Sequence, residues 1–161
     1  MTDADAGAQC AAILQACQYA NIATCQGEQP WNTPATVMAD EQLDLYWSSW
    51  IKAVHSQNIH ANPNVFLTFY DSTRARGSNN RQCLYLRCTA EAVSDQAEAR
   101  KAHALIYPQV AVELDDFLEP GPKRFYRARP QQAWLNVLSE RDLTPDTVKM
   151  RREVALASIR I

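Results

Sequence analysis

The chain opens on a helical period. Cys10, Ile13, Leu14 and Cys17 stand at i, i+3, i+4 and i+7 within residues 5–18, one apolar stripe on one helix. The period then drops to two. Residues 20–25 read as a strand, and Gln26-Gly27-Glu28-Gln29 as the turn of a hairpin in which Gly27 supplies a positive φ. Residues 31–39 are the return strand. Pro34 inside it predicts an edge position or a bulge, because proline offers the ladder no N–H. In residues 43–48, Leu43, Leu45 and Trp47 alternate with Asp44, Tyr46 and Ser48, which makes a third strand. A short helix spans 52–61 and stops at Asn62-Pro63. Residues 65–70 are strand-like, 71–81 are a polar loop, and 83–93 form a long strand with Leu84, Leu86 and Cys88 on one face.

Ser94 is placed to cap a helix over 95–107, with Asp95 and Glu98 in its first turn. Pro120-Gly121-Pro122 is a turn, and strands at 124–129 and 133–137 flank Pro130. Thr144-Pro145-Asp146 then starts a helix over 145–159, whose stripe is Thr147, Met150, Val154, Ala157 and Ile161. Many strands with few helices between them predict one α+β domain over 1–161, mainly β: an antiparallel barrel flanked by helices.

Composition narrows the chemistry. The 161 residues carry 16 Lys and Arg against 18 Asp and Glu, a net charge of −2, which argues against a nucleic-acid binder. The four glycines, Gly7, Gly27, Gly77 and Gly121, lie too far apart for a Walker loop or a dinucleotide fingerprint, so any phosphate must rest on side chains or helix ends. Of the 47% hydrophobic residues, 24 are alanine, a lean supply for one core that favours an oligomer sharing its burial. Cys10, Cys17, Cys25, Cys83 and Cys88 form no CxxC pair. An odd count with no signal-peptide pattern predicts reduced thiols that pack as small hydrophobes, and no metal site. No apolar run is long enough for a membrane span, and the acidic N-terminus carries no signal peptide, so a cytoplasmic location is expected.

One stretch carries more. Ile22-Ala23-Thr24 precedes Pro30-Trp31-Asn32-Thr33-Pro34-Ala35. Leu45-Tyr46-Trp47-Ser48-Ser49 and His55-Ser56-Gln57-Asn58-Ile59 follow, then Asn62-Pro63-Asn64-Val65-Phe66-Leu67 and Tyr70-Asp71-Ser72-Thr73. In order and spacing these pieces resemble the pyridoxamine 5′-phosphate oxidase-like, FMN-binding split-barrel family. Residues 126–137, with Trp134, look like that family's late strands, and the resemblance spans about 8–138.

The resemblance implies a six-stranded antiparallel split barrel, a homodimer, and FMN at the subunit interface. It places the phosphate on Ser48, Ser49, Lys52, His55, Ser56 and Asn58. A dianion suits a cation, hydroxyl donors and a helix N-terminus. The flavin ring is expected along the backbone of Ala35, Thr36 and Val37. Trp47 either lines the ring edge or fills the barrel core. Trp134 either reaches the cofactor from the partner subunit or packs in the core, and Trp50 either caps the cofactor or packs at the dimer interface. Arg74, Arg76 and Arg81, in a loop often glycine-rich in relatives, either meet an anionic substrate or a partner chain or are solvated. The C-terminus lacks the Arg-x-His signature of the biosynthetic oxidase, so the chain differs from that enzyme.

These readings favour an FMN-dependent oxidoreductase acting on a small molecule, in which the protein orients the substrate and tunes the ring. No catalytic base stands out, and adjacent Asp115 and Asp116 read as loop. The alternatives are a non-catalytic split barrel that stores or senses flavin or haem, and a branch that uses the deazaflavin F420.

Overall fold

The computed structural model describes residues 1–73, 82–136 and 151–161. Helix α1, Asp3–Ala16, begins two residues before its periodicity. Thr2 caps it, accepting from the Asp5 N–H while the Asp5 carboxylate accepts from the Thr2 N–H at 2.8 Å. Its stripe of Cys10, Ile13 and Leu14 is buried as the spacing predicts. The hairpin follows as β1, Tyr19–Gln26, and β2, Gln29–Thr36, with Gly27 at φ 59° in the turn. Then come β3, Met38–Ala39, β4, Leu45–Trp50, α2, Val54–Ala61, β5, Asn64–Tyr70, β6, Cys83–Ala92, α3, Gln96–Ile106, β7, Lys123–Asn136, and β8, Arg151–Val154, with a 3₁₀ turn at Leu156–Ser158.

All strands belong to one antiparallel sheet in the order β2-β1-β5-β6-β7-β4-β3, with β8 added to β7. This gives eight strands among the described residues where the resemblance implies six. The sheet curls so that alternate residues point inward. Ile22, Leu45, Trp47, Leu67, Phe69, Leu84, Leu86 and Leu135 form the inner core under α1. Removing one such side chain, as in Leu86→Ala, costs about 2–5 kcal/mol. β2 lies at one end of the path, which admits Pro34 as the sequence predicts.

Several expectations change. The two late strands around Pro130 are one 14-residue strand. Its ladder with β6 shifts register between Arg87 and Cys88, so Gln131 becomes the extra residue and Pro130 sits at a bulge that needs no N–H. The helix over 145–159 falls partly on residues outside the description. From 151 onward it is replaced by β8 and the 3₁₀ turn. The i, i+4 spacing of Met150 and Val154 is overridden because residues 151–154 find an open ladder on β7. The 3₁₀ turn lies so close to α1 that a Cβ on Gly7 would stand 2.2 Å from the Ser158 carbonyl oxygen. Asp95, not Ser94, caps α3, accepting from the Glu98 N–H at 2.9 Å. A carboxylate at this position also faces the positive end of the helix dipole.

Leu43 is not in the third strand. It turns ahead of β4 at φ 67°, a costly conformation for leucine. The Asp40 carboxylate stabilises the turn by accepting from the Gln42 and Asp44 N–H groups at 2.9 and 2.8 Å, and the Leu43 side chain is buried. The five cysteines are free thiols. Burial pushes Cys10 up to about 12, and Cys88 is raised by the same cause, so both are inert packing groups. Among the described residues no helix is long and apolar enough to cross a membrane.

Candidate functional site

Of the three helices among the described residues, α2 and α3 treat their polar groups very differently. Outside β4 and the start of β7, α3 covers a second apolar cluster of Tyr46, Val93, Leu114 and Phe125. Several charged groups on and beneath it are paired. Lys101 pairs with Asp40, and Arg127 with Glu98 at 3.1 Å and with Glu91. The Tyr46 hydroxyl donates to Glu98, and Ser48 Oγ lies 2.6 Å from the Tyr107 hydroxyl.

Helix α2 is the opposite case. Its N-cap is Ala53, which offers no side-chain acceptor, and the first turn holds no acid. The Gln57 N–H bonds to the Ala53 carbonyl at 3.0 Å, so the N–H groups of Val54, His55 and Ser56 have no carbonyl behind them in the helix. Such an end is an anion site in waiting. Four of the enclosed side-chain atoms that lack a hydrogen-bond partner lie on α2 and on the inner side of β4: His55 Nε2, Ser56 Oγ, Asn58 Oδ1 and Trp47 Nε1. Buried polar groups normally find partners, and a cluster of exceptions asks for a reason.

The structure sorts the expected ligands. Ser49, half-buried at the end of β4, exposed Lys52 and the first turn of α2 with His55 lie within one short stretch. His55 is only 7% exposed, and burial lowers its pKa, so its imidazole is neutral in the protein alone. A bound dianion beside it would oppose that shift. Ser56 is enclosed. Asn58 is turned to β1, where its amide donates to Thr24 Oγ1 at 3.0 Å. Ser48 faces the α3 layer. Trp47 is fully buried and stacks on Tyr126 with centroids 5.7 Å apart, which places it in the barrel core.

Ala35 and Thr36 end β2 in register with Ala20 and Tyr19, and the Val37 N–H donates to the Gln18 carbonyl at 3.0 Å. Trp134 is not in the core. It lies half-buried on the outer face of the sheet, stacked on Phe66 at 6.1 Å and opposite Tyr85. Trp50 is 57% exposed, with the Lys123 ammonium over its ring at 4.9 Å. The arginine loop 74–81 lies outside the described residues.

The spacing rules did not single out Arg124 and Tyr126. They line a cavity of about 580 Å³ together with Ser56. The legible signal was an arginine directly before the apolar pair Phe125-Tyr126, where an unpaired charge has no place.

Comparison with known proteins gives a consistent picture. The sequence model described as pyridoxamine 5′-phosphate oxidase matches residues 6–136. No curated protein matches the chain significantly. Among solved structures, a heme binding protein from Mycobacterium smegmatis overlays with a TM-score of 0.72 at 14% identity, covering 98% of this chain and 60% of that one. HutZ, a heme storage protein from Vibrio cholerae, overlays with 0.62 at 19% identity, over 75% of this chain and 87% of that one. A FAD-binding protein from Mesorhizobium loti gives 0.59 at 19% identity, over 78% and 87%.

Proposed function

We propose, from the premise that this chain belongs to the pyridoxamine 5′-phosphate oxidase family, that it binds FMN and serves as an oxidoreductase for a small molecule. The observation that carries this reading is the uncapped N-terminus of α2, with Lys52 before it, Ser49 beside it and His55 Nε2 unpartnered within it.

These residues fit a phosphate. Lys52 supplies charge, Ser49 a hydroxyl, and the first turn of α2 its N–H groups and dipole. His55, neutral and enclosed, donates or accepts at Nε2 according to its tautomer. The Ser48 hydroxyl is engaged with Tyr107 and the Asn58 amide nitrogen with Thr24, so these two residues shape the site by fixing β4 and α2. The backbone of Ala35, Thr36 and Val37 is the edge along which the ring would lie. Bound FMN would supply hydride and electron transfer; the chain would orient it and exclude water.

The reading includes a homodimer. Phe66, Tyr85 and Trp134 form an aromatic patch on the outer sheet face, beyond the part that α3 covers, and Tyr70 beside them is exposed. A second copy across this face would bury the patch and bring Trp134 to the partner's cofactor. Sedimentation at micromolar concentration should give a dimer; an 18 kDa species alone would contradict it.

A second reading, a non-catalytic haem holder, is favoured by the overlay on the M. smegmatis heme binding protein, which extends over nearly the whole chain. FMN titration followed by fluorescence separates the two. Saturable binding, lost by about tenfold or more in Lys52→Ala/His55→Ala, supports FMN; charge-assisted contacts are worth about 1.5–3 kcal/mol each. No FMN binding, together with a haem absorption band on haem addition, would favour the second reading.

A further inference from the structure

The cavity shared by α2, β6 and β7 has a chemistry of its own. Its walls are largely apolar, built by Ile51, Ile59, Pro63, Ala90 and Ala92. Three donor groups line it. Ser56 Oγ is enclosed and meets the Tyr126 hydroxyl only loosely, short of a full hydrogen bond. The Tyr126 phenol is kept protonated, since burial raises its pKa and outweighs the lowering by Ser56 and Arg124. Arg124 is 93% buried by area, yet a guanidinium stays charged in proteins. His60 and Gln57 line it from α2, and Glu91 also lines the space, its carboxylate already held by Arg127 and Arg129.

The pairing of Arg124 is lopsided. One terminal nitrogen donates to the Gly121 carbonyl at 2.7 Å and to the Lys123 carbonyl, which fixes the side chain. The other meets the Glu119 carboxylate, whose side chain is 87% exposed. Thus a nearly buried cation is balanced by an anion that stands in water. An ion pair with one solvated member contributes little, because water screens it. Releasing Glu119 returns it to full hydration, whereas a carboxylate entering from the cavity side would meet the same nitrogen with Ser56 and Tyr126 near it.

The geometry points to a binding site for a small, largely apolar carboxylate, anchored by Arg124, Ser56 and Tyr126, with Glu119 as its displaceable stand-in. The site adjoins the phosphate reading at Ser56, whose N–H belongs to the first turn of α2, while Lys52 and His55 do not line the cavity. A single fixed guanidinium beside two hydroxyls and an apolar wall suits one carboxylate with a ring or branched chain.

Benzoate and its uncharged isostere benzamide are the probes, added to ¹⁵N-labelled protein and followed by amide chemical shifts. Benzoate should bind saturably, with shifts at Ser56 and Arg124, and at least about tenfold more tightly than benzamide. Ser56→Ala should weaken benzoate severalfold, and Glu119→Gln should tighten it severalfold by removing the competing carboxylate. Arg124→Gln should abolish it, while the first two variants carry the test if that protein does not fold. The proposal is overturned if benzoate shows no saturable binding, if benzamide binds equally well, or if neither Ser56→Ala nor Glu119→Gln changes benzoate affinity.

Discussion

Helices α2 and α3 are neighbours of the same sheet and differ in almost every polar detail. Helix α3 is capped by Asp95 and faces Lys101–Asp40, Tyr46–Glu98 and the Arg127 cluster. Helix α2 has an alanine cap and carries His55, Ser56 and Asn58, each with an enclosed atom lacking a partner. The division is not absolute, since His103 Nδ1 on α3 and Arg127 Nε are also enclosed without a hydrogen bond. Still, α3 and its surroundings look built for stability, with charges resolved within the chain. Helix α2 gives up that local satisfaction at its N-terminus, as binding sites commonly do.

The contrast can be broken by mutation, most strongly at Arg127. Arg127→Ala leaves Glu98 without its cation and Glu91 and Asp44 with Arg129 alone, and it should cost about 1.5–3 kcal/mol in urea unfolding. Ser56→Ala removes a hydroxyl that makes no full hydrogen bond and should stay within about 0.5 kcal/mol. Equal losses in the two variants would erase the distinction between the helices.

Capping gives the next largest effect, with opposite signs. Asp95→Ala should destabilise by about 1 kcal/mol, whereas Ala53→Asp should stabilise by a similar or smaller amount. The same Ala53→Asp protein should bind FMN more weakly, since the new carboxylate occupies the donors and repels the phosphate. Thermal unfolding read beside FMN titration checks both. A variant that gains stability and keeps its FMN affinity would show that the α2 terminus is not the anion site.

The smallest effect is on pH dependence. Burial lowers the His55 pKa, so below the ordinary imidazole value the unfolded chain takes up a proton that the folded chain resists. Stability should therefore fall as pH drops from neutrality through about 6.5, levelling once the folded imidazole titrates. His55→Gln should flatten that part of a urea-midpoint profile. An unchanged slope would mean that His55 is not held neutral.

Much of the fold was legible because alternation reports a half-buried strand directly. Val65, Leu67 and Phe69 on β5, and Leu84, Leu86 and Cys88 on β6, are buried as spaced. What the chain hid were features that depend on partners distant in sequence. The bulge at Pro130 depends on β6, and β8 depends on an open ladder on β7, so neither shows in local periodicity. The site was legible in part. The short run from Ser49 to His55 is continuous in sequence and stays together. Trp47 and Trp134 were ambiguous because an indole suits a core, a cofactor or an interface equally. Arg124 and Tyr126 on β7 meet Ser56 across a long sequence separation, which no local motif records.

The central claim is that the N-terminus of α2, with Lys52 and His55, is built to receive a phosphate. Titration with FMN and with riboflavin, which differ by that phosphate alone, tests it directly. FMN should bind at least about tenfold more tightly than riboflavin, one charge-assisted contact or more. Equal affinity for the two flavins, or binding of neither, would contradict it.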